Sequence, residues 1–196
     1  SAKDKRVVIL GGGDTGADCL GTSHRQGAKE VHQIELLPEP PLERSENTPW
    51  PLWPMQLRTS AAHEEGGMRE WSFMTKKFSG EKGKVKKLHG VRVEKIDTDS
   101  GGFTFKEVPD SNFEIECELV LLAMGFTGPQ KSGLLTALEV KTNDRGNVIV
   151  DDNRMTNVAG IFAAGDIKLG ASLIVWAIYE GREAAKGIEA YLGLAE

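Results

Sequence analysis

Apolar residues in this chain fall into short continuous runs near its ends and into alternating stretches between them. The first run, Val7-Val8-Ile9-Leu10, is unbroken, as in a strand buried on both faces. It breaks into Gly11-Gly12-Gly13-Asp14-Thr15-Gly16, and a helix is predicted from Asp14 to Arg25, stopped at Gln26-Gly27. Val31 to Leu36 reads as a second strand and completes a βαβ unit of about 30 residues. Pro38, Pro40, Pro41, Pro49, Pro51 and Pro54 forbid a helix or an inner strand, so an ordered loop or stiff excursion is expected there. Its Trp50 and Trp53 are expected to pack on the domain's own flank, the alternatives being to cover a cofactor or meet a partner chain. Met55 to Glu65 can form a helix ending at Gly66-Gly67, with His63 read as a surface residue matched to the helix dipole.

From Trp71 onward the spacing is that of strands. Trp71 to Phe78, a turn at Glu81-Lys82-Gly83-Lys84, Val85 to Ile96, a turn at Ser100-Gly101-Gly102 and then Phe103-Thr104-Phe105 predict an antiparallel meander. Such a meander is the crossover of nucleotide-binding domains of the disulfide-reductase type. Ile115 to Met124 returns as an apolar strand suited to a buried parallel sheet and ends at Gly125-Phe126-Thr127-Gly128-Pro129, where a domain boundary is expected. Val158 to Ala164 reads as a short strand ending in Gly165-Asp166. A helix is predicted from near Ala171-Ser172 to Leu192. The fold class is therefore α/β, a Rossmann-like three-layer nucleotide-binding domain with an antiparallel meander as crossover, followed by a smaller C-terminal segment.

The glycine run carries the first chemistry. Gly11, Gly13 and Gly16 occupy the three places of G-x-G-x-x-G, directly after a strand and at the start of a helix. The first allows the tight turn, the second lets backbone approach a pyrophosphate, and the third lets helix and strand pack closely. Gly12, Asp14 and Thr15 complete the cradle, with the phosphates held at the helix N-terminus. The alternative is a glycine-rich turn that binds nothing. Glu35 lies 19 residues past Gly16, close to the spacing at which a carboxylate bonds the adenosine ribose. It favours NADH, because it repels the extra phosphate of NADPH; otherwise it is an exposed Glu at a strand end. Arg44 is the nearest cation for a 2′-phosphate. Gly125 falls at a strand end facing the crevice where ligands bind in open α/β sheets.

At the far end, Gly165 allows backbone to approach a polyol and Asp166 can accept bonds from its hydroxyls. A helix starting near Ser172 to Ile174 would aim N–H groups, including that of Leu173, at an electron-rich ring edge. The competing reading is a strand turning into a core helix with a capping Asp.

Bulk properties add little to this. A chain of 196 residues is 39% hydrophobic and 27% charged, ordinary for a globular protein, and fits one large domain or two small ones. A net charge of -5 gives no support for nucleic acid as a partner. No apolar stretch approaches membrane-spanning length. Cys19 and Cys117 are far apart with no C-x-x-C, which excludes a local redox dithiol, argues against an iron–sulfur cluster in this chain, and fits a reducing cytoplasm. No metal site and no catalytic acid or base are expected. Ser1-Ala2 in place of an initiator Met suggests a fragment.

Several blocks together carry a resemblance: Gly11 to Cys19, Glu35-Leu36-Leu37-Pro38-Glu39-Pro40-Pro41, Pro49-Trp50-Pro51-Leu52-Trp53-Pro54, Leu121 to Phe126, Phe162 to Asp166, and Ser172 to Ile178 with Glu180-Gly181-Arg182. Over essentially its whole length the chain resembles the small (β) subunits of glutamate synthase and the homologous region of single-chain enzymes. The resemblance implies an electron-input module in which NAD(P)H reduces FAD, iron–sulfur clusters carry the electrons, and a large subunit or domain makes glutamate from glutamine and 2-oxoglutarate. It implies an NAD(P) domain over residues 3–126, inserted in an FAD domain whose C-terminal part is 127–196, with Asp166 on the FAD ribitol and Leu173 at the ring. The family's N-terminal half, with its cysteine clusters and second FAD fingerprint, is not among these residues. The module is then expected to bind pyridine nucleotide, retain little FAD and make no glutamate alone. NADP-using relatives tend to carry two arginines where this chain has Leu36-Leu37. Two alternatives are a related flavoprotein feeding ferredoxin or pyrimidine reduction, and a binding or docking module without turnover. Thioredoxin reductase is disfavoured by the missing C-x-x-C.

Overall fold

The computed structural model describes residues 1–52, 54–99 and 101–194; Trp53 and Ser100, the latter named in an expected turn, lie outside them. In chain order the elements are β1 (Arg6–Leu10), α1 (Asp14–Arg25), β2 (Glu30–Ile34), α2 (Ala61–Glu64), β3 (Met68–Glu70), β4 (Phe73–Glu81), β5 (Lys84–Asp97), β6 (Phe103–Glu116), β7 (Leu119–Leu122), α3 (Leu134–Ala137), α4 (Asp166–Leu169) and α5 (Ile174–Tyr191). They fall into two compact units, Ser1–Met124 and Gly125–Glu196.

The first unit is built on β1. This strand pairs in parallel with β2 on one side and with β7 on the other, and β3 extends the sheet beyond β2. Alternation along β1 sends its side chains into two cores. Val7 and Ile9 pack with Leu20 of α1 and with Val31. Val8 and Leu10 pack with Phe73 and Leu88 of the second sheet, order β4-β5-β6, and with Cys117 just past β6. The result is three layers: helix, parallel sheet, antiparallel sheet. On α1, Gly16 allows close approach to the loop after β1, Leu20 packs on the sheet, and Gly21 lies against Ala62 of α2. At its end the Gly27 N–H donates to the His24 carbonyl and the Ala28 N–H to the Ser23 carbonyl, a Schellman stop at the expected place.

Four expected elements differ. The helix expected over Met55 to Glu65 shrinks to the single turn of α2, because the Leu57 N–H is taken by the Pro41 carbonyl at 2.7 Å. The strand expected over Trp71 to Phe78 starts only at Phe73, after Ser72 with a φ of 61°, and an unexpected strand, β3, precedes it. The short strand at Phe103-Thr104-Phe105 runs on to Glu116, with Pro109 accommodated where the register with β5 shifts between Val91 and Val93. Val158 to Ala164 is not a strand; it pairs through one isolated bridge, Met155 with Phe162. The C-terminal helix starts at Ile174, within the range Ser172 to Ile174 expected for its N-terminus. Trp50 is 83% exposed instead of packed on the domain's flank. No helix among the described residues is long and apolar enough to cross a membrane.

An ion group closes the other end of the sheet. The Arg6 backbone N–H donates to Glu118 Oε2 at 2.8 Å, its guanidinium pairs with Glu118 and Glu116, and the Glu118 N–H returns a bond to the Arg6 carbonyl at 3.0 Å. These hydrogen bonds from Arg6 hold the Glu118 carboxyl down at about 2. A depressed carboxylate stabilises the fold fully above its ordinary value near 4.5 and loses that contribution as pH falls toward about 2. Glu118→Gln is expected to lower Tm by about 2–4 °C at neutral pH, for a pair worth ~1 kcal/mol. Melting curves of variant and wild type should converge in acid; a gap that persists there would refute this role for the charge.

Candidate functional site

The carboxyl ends of β1, β2, β3 and β7 lie side by side, and the glycine loop sits above them. The Gly11 N–H donates to the Ile34 carbonyl at 2.8 Å and the Ala123 N–H to the Leu10 carbonyl at 2.8 Å, so the loop leaves the sheet between β2 and β7. The chain goes one way from β1 to β2 and the other way to β7, which makes this the topological switch point of the sheet.

Each loop position has its own constraint. Gly11 has φ 127°, and a Cβ there would overlap the Ala123 carbonyl. A Cβ on Gly16 would overlap the Gly11 carbonyl and fall 2.5 Å from Gln33 Nε2. Gly12 is governed by Glu35: a Cβ would lie 2.8 Å from Glu35 Oε2. At Gly13 a Cβ meets nothing within 4 Å, so the loop is open to solvent there. Gly13 is the N-cap of α1, with no side-chain cap. The first bond of the helix runs from the Ala17 N–H to the Gly13 carbonyl, so the N–H groups of Asp14, Thr15 and Gly16 precede the helical ladder. Asp14 and Thr15 are exposed and Gly16 is buried.

Glu35 stands at the end of β2 with its carboxylate turned onto this loop. Oε2 accepts the Gly12 N–H at 2.6 Å, while Oε1 accepts those of Leu36 and Leu37 at 2.8 and 3.1 Å. An ionised carboxylate has about four acceptor directions, so Oε2 retains one for a further donor. The structure thus brings Gly11, Gly12, Gly13, Asp14, Thr15, Gly16 and Glu35 into one site.

The remaining candidates belong to the second unit. Gly165 has φ 71° and precedes the exposed Asp166, which opens α4. A Cβ on Gly165 would lie 3.5 Å from that of Ala177, in the first turn of α5. Leu173 is the N-cap of that helix and its carbonyl takes the Trp176 and Ala177 N–H groups; exposed Ser172 precedes it. Gly165, Asp166, Ser172 and Leu173 therefore gather at the start of α5. Gly125 comes after Ala123 and Met124 past the end of β7, with φ 85° and open space beside it.

Two residues near the loop escape a reading by motif. Gln33, 2% exposed, donates from Nε2 to the Gly11 carbonyl at 2.9 Å, and its Oε1 lies 3.0 Å from His63 Nε2. His63 is half-buried rather than a surface dipole partner. A polar residue between Val31 and Ile34, inside an otherwise buried strand, is the signal that would have found the first. His63 carries none, because it reaches Gln33 across 30 residues of chain.

A family model described as pyridine nucleotide-disulphide oxidoreductase matches residues 58–181. The chain belongs to that family. The match begins past the glycine loop, so the loop rests on its geometry. Among curated relatives of this oxidoreductase chain, the glutamate synthase [NADPH] small chain of Mycobacterium tuberculosis is 55% identical over 192 residues, covering 98% of this chain and 38% of the relative. The glutamate synthase [NADH] of Schizosaccharomyces pombe is 43% identical over 197 residues, 96% of this chain and 9% of that one. The chain thus spans well under half the length of these relatives. Among solved structures, the thioredoxin reductase of T. acidophilum superposes with a TM-score of 0.61 at 26% identity, over 96% of this chain and 53% of that one.

The glycine geometry separates space from chemistry. Gly16→Ala is expected to destabilise the fold by about 1–3 kcal/mol through overpacking, although alanine is the better helix former. Gly13→Ala, with open space and an extended φ of -82°, should stay within about 0.5 kcal/mol of wild type. Chemical denaturation of the two variants checks this; equal losses would refute the packing argument.

Proposed function

We propose that this chain is the pyridine-nucleotide-binding, electron-input part of a glutamate synthase small subunit, and that it prefers NADH. The observation that carries the reading is the Glu35 carboxylate, bonded to the Gly12 N–H above an open glycine loop at the switch point of the sheet. Family membership and the glutamate synthase relatives support the same reading.

Gly11 and Gly16 leave the backbone room, and the N–H groups of Asp14, Thr15 and Gly16, which precede the helical ladder, would receive the pyrophosphate. The free acceptor direction of Glu35 Oε2 receives an adenosine ribose hydroxyl. A 2′-phosphate at that position would bring its negative charge against the carboxylate, and Leu36-Leu37 offer no cation. The names of the relatives divide between NADPH and NADH, so the side chains are the better guide. When bound, the nicotinamide supplies a hydride and a flavin accepts it. The chain's own task is to bind and to orient.

For the flavin, Gly165, Asp166, Ser172 and Leu173 are the residues that would hold the ribitol and the ring edge, whereas Gly125 is assigned to the crevice at the strand end. Their fit is the exposed Asp166 carboxylate beside the start of an 18-residue helix. The first half of that helix exposes Ile174, Val175, Trp176, Ile178 and Tyr179. Such a face suits an FAD domain completed by further protein, with a large subunit or domain receiving the electrons.

Calorimetric titration with NADH and NADPH tests the preference. NADH is expected to bind at least about tenfold more tightly, and Glu35→Gln to narrow that ratio, since tenfold corresponds to ~1.4 kcal/mol of charge repulsion. Tighter binding of NADPH would overturn the NADH assignment. Binding of neither would overturn the nucleotide site.

A further inference from the structure

Gln33 is a buried primary amide within the parallel sheet, and such a group is costly unless both of its ends are bonded. Its amide lies against the Gly11 carbonyl, in the space that a Cβ on Gly16 would need. A carbonyl only accepts, so Nε2 must face it and Oε1 must face away, toward His63. His63 is fixed in turn by Ser60. Its Nδ1 lies 3.1 Å from the Ser60 backbone nitrogen, a donor, so Nδ1 accepts and the proton sits on Nε2, aimed at Gln33 Oε1. The chain of bonds therefore has one direction: Ser60 N–H to His63, His63 N–H to Gln33, Gln33 N–H to Gly11.

We propose that Gln33 and His63 are positioning residues of the nucleotide site, the neutral imidazole orienting the Gln33 amide so that it ties down the Gly11 carbonyl and keeps the loop's N–H groups facing the phosphates. The inference rests on the reading that this loop receives a pyridine dinucleotide. It adds a pH dependence that the loop itself does not have. Burial pushes the His63 imidazole below its ordinary value, and the positive charge of Arg69 on β3 pushes in the same direction. Around the ring, β2 presents the neutral Gln33, and α1 presents Arg25, which pairs with Glu65, and His24, which lies beside Gly66 and Gly67. The one-turn α2 adds Glu64 and Glu65 from its own sequence. Protonation would put a second N–H on Nδ1; Ser60 Oγ, 3.2 Å away, can accept it, but the Ser60 backbone N–H then loses its acceptor and the cap that seats α2 weakens. The Nε2–H bond to Gln33 survives protonation, but the Ser60 N–H bond that seats the ring is intact above the ordinary histidine value, near about 6.5, and is lost as pH falls through the lower value of the folded state.

The test uses the 196-residue chain, with NADH as the calorimetric probe. Gln33→Glu keeps the size but sets an acceptor against the Gly11 carbonyl, and His63→Leu removes the orienting donor. Each is expected to weaken NADH binding about tenfold, the scale on which an unpaired buried polar group acts. In His63→Gln the amide nitrogen replaces Nε2, and affinity should recover to within about threefold of wild type. Wild-type affinity should hold above about pH 6.5 and fall as the pH drops below it, while His63→Gln should be flat over the same range. Thermal melts screen folding; if Gln33→Glu does not fold, the two His63 variants decide. Unchanged affinity in His63→Leu, or the same pH profile in wild type and His63→Gln, would overturn the proposal. Nitrogen NMR of His63 in the nucleotide-free chain is independent of binding: a proton on Nε2 supports the relay, and a proton on Nδ1 overturns it. A wild-type chain that binds neither NADH nor NADPH but shows the Nε2 proton overturns the nucleotide reading, and with it the positioning role, leaving the bonds themselves in place.

Discussion

Backbone meets backbone where β1 leaves the sheet, and no side chain fits between. The Gly11 Cα lies against the Ala123 carbonyl on one side, and the Gly16 Cα lies against the Gly11 carbonyl on the other. This double contact requires the first turn of α1 to begin almost on top of the strand. The Gly11 carbonyl is thereby turned inward onto Gly16 and Gln33, and the amides of Asp14, Thr15 and Gly16 stand ahead of the helical ladder. An anion site in this position is a by-product of packing a helix tightly against a parallel sheet. What makes it selective is whatever stands beside it, and here that is Glu35.

The rest of the first unit holds β1 in place for that contact. Its side chains alternate between the α1 core and the core of the second sheet, so a register slip by one residue would exchange the two sets. Its amino end is held by Arg6, Glu116 and Glu118, and its carboxyl end by the glycine loop. Charge operates at the wet edge and close backbone approach at the ligand edge. The antiparallel meander supplies the second covering layer, using Phe73 and Phe113 in edge-to-face contact at 4.6 Å as its anchor beneath β1.

How much of this could be read from the chain depended on whether the signal was local. The run Val7 to Leu10, the glycines and the spacing to Glu35 are local patterns, and they located the first strand, the helix, the three layers and the carboxylate above the loop. β3 was missed because Met68-Arg69-Glu70 has no periodicity; it is a strand only because β2 offers it an edge. The helix expected at Met55 failed because a distant proline carbonyl, Pro41, claims the Leu57 amide. Val158 to Ala164 is as apolar as a strand, yet it makes a single bridge, with turn bonds such as the Ile161 N–H to the Val158 carbonyl in place of a ladder. The Gln33–His63 contact was illegible for the same reason: it exists only because the chain returns to α1 after the proline-rich loop.

The second unit reverses the usual order of a helix. On the inside of α5, Glu180 is 4% exposed and accepts hydrogen bonds from Arg154 Nε at 2.7 Å and Lys168 Nζ at 2.8 Å. Burial alone would push that carboxyl up; the bonds from Lys168 and Arg154 outweigh it and hold it below the ordinary range. On the outside, Trp176 and its apolar neighbours face solvent. A buried ion group of this kind adds little net stability, because the cost of desolvating it offsets most of the attraction. It does fix orientation, since turning the helix over would bury the apolar side and strand three charges. The helix is thus held with its apolar face outward by electrostatics rather than by hydrophobic burial. In the proposed flavoprotein that is the face at which the ring edge and the remaining chain would meet it, so the ion group would serve the site by keeping that surface presented before its partner arrives.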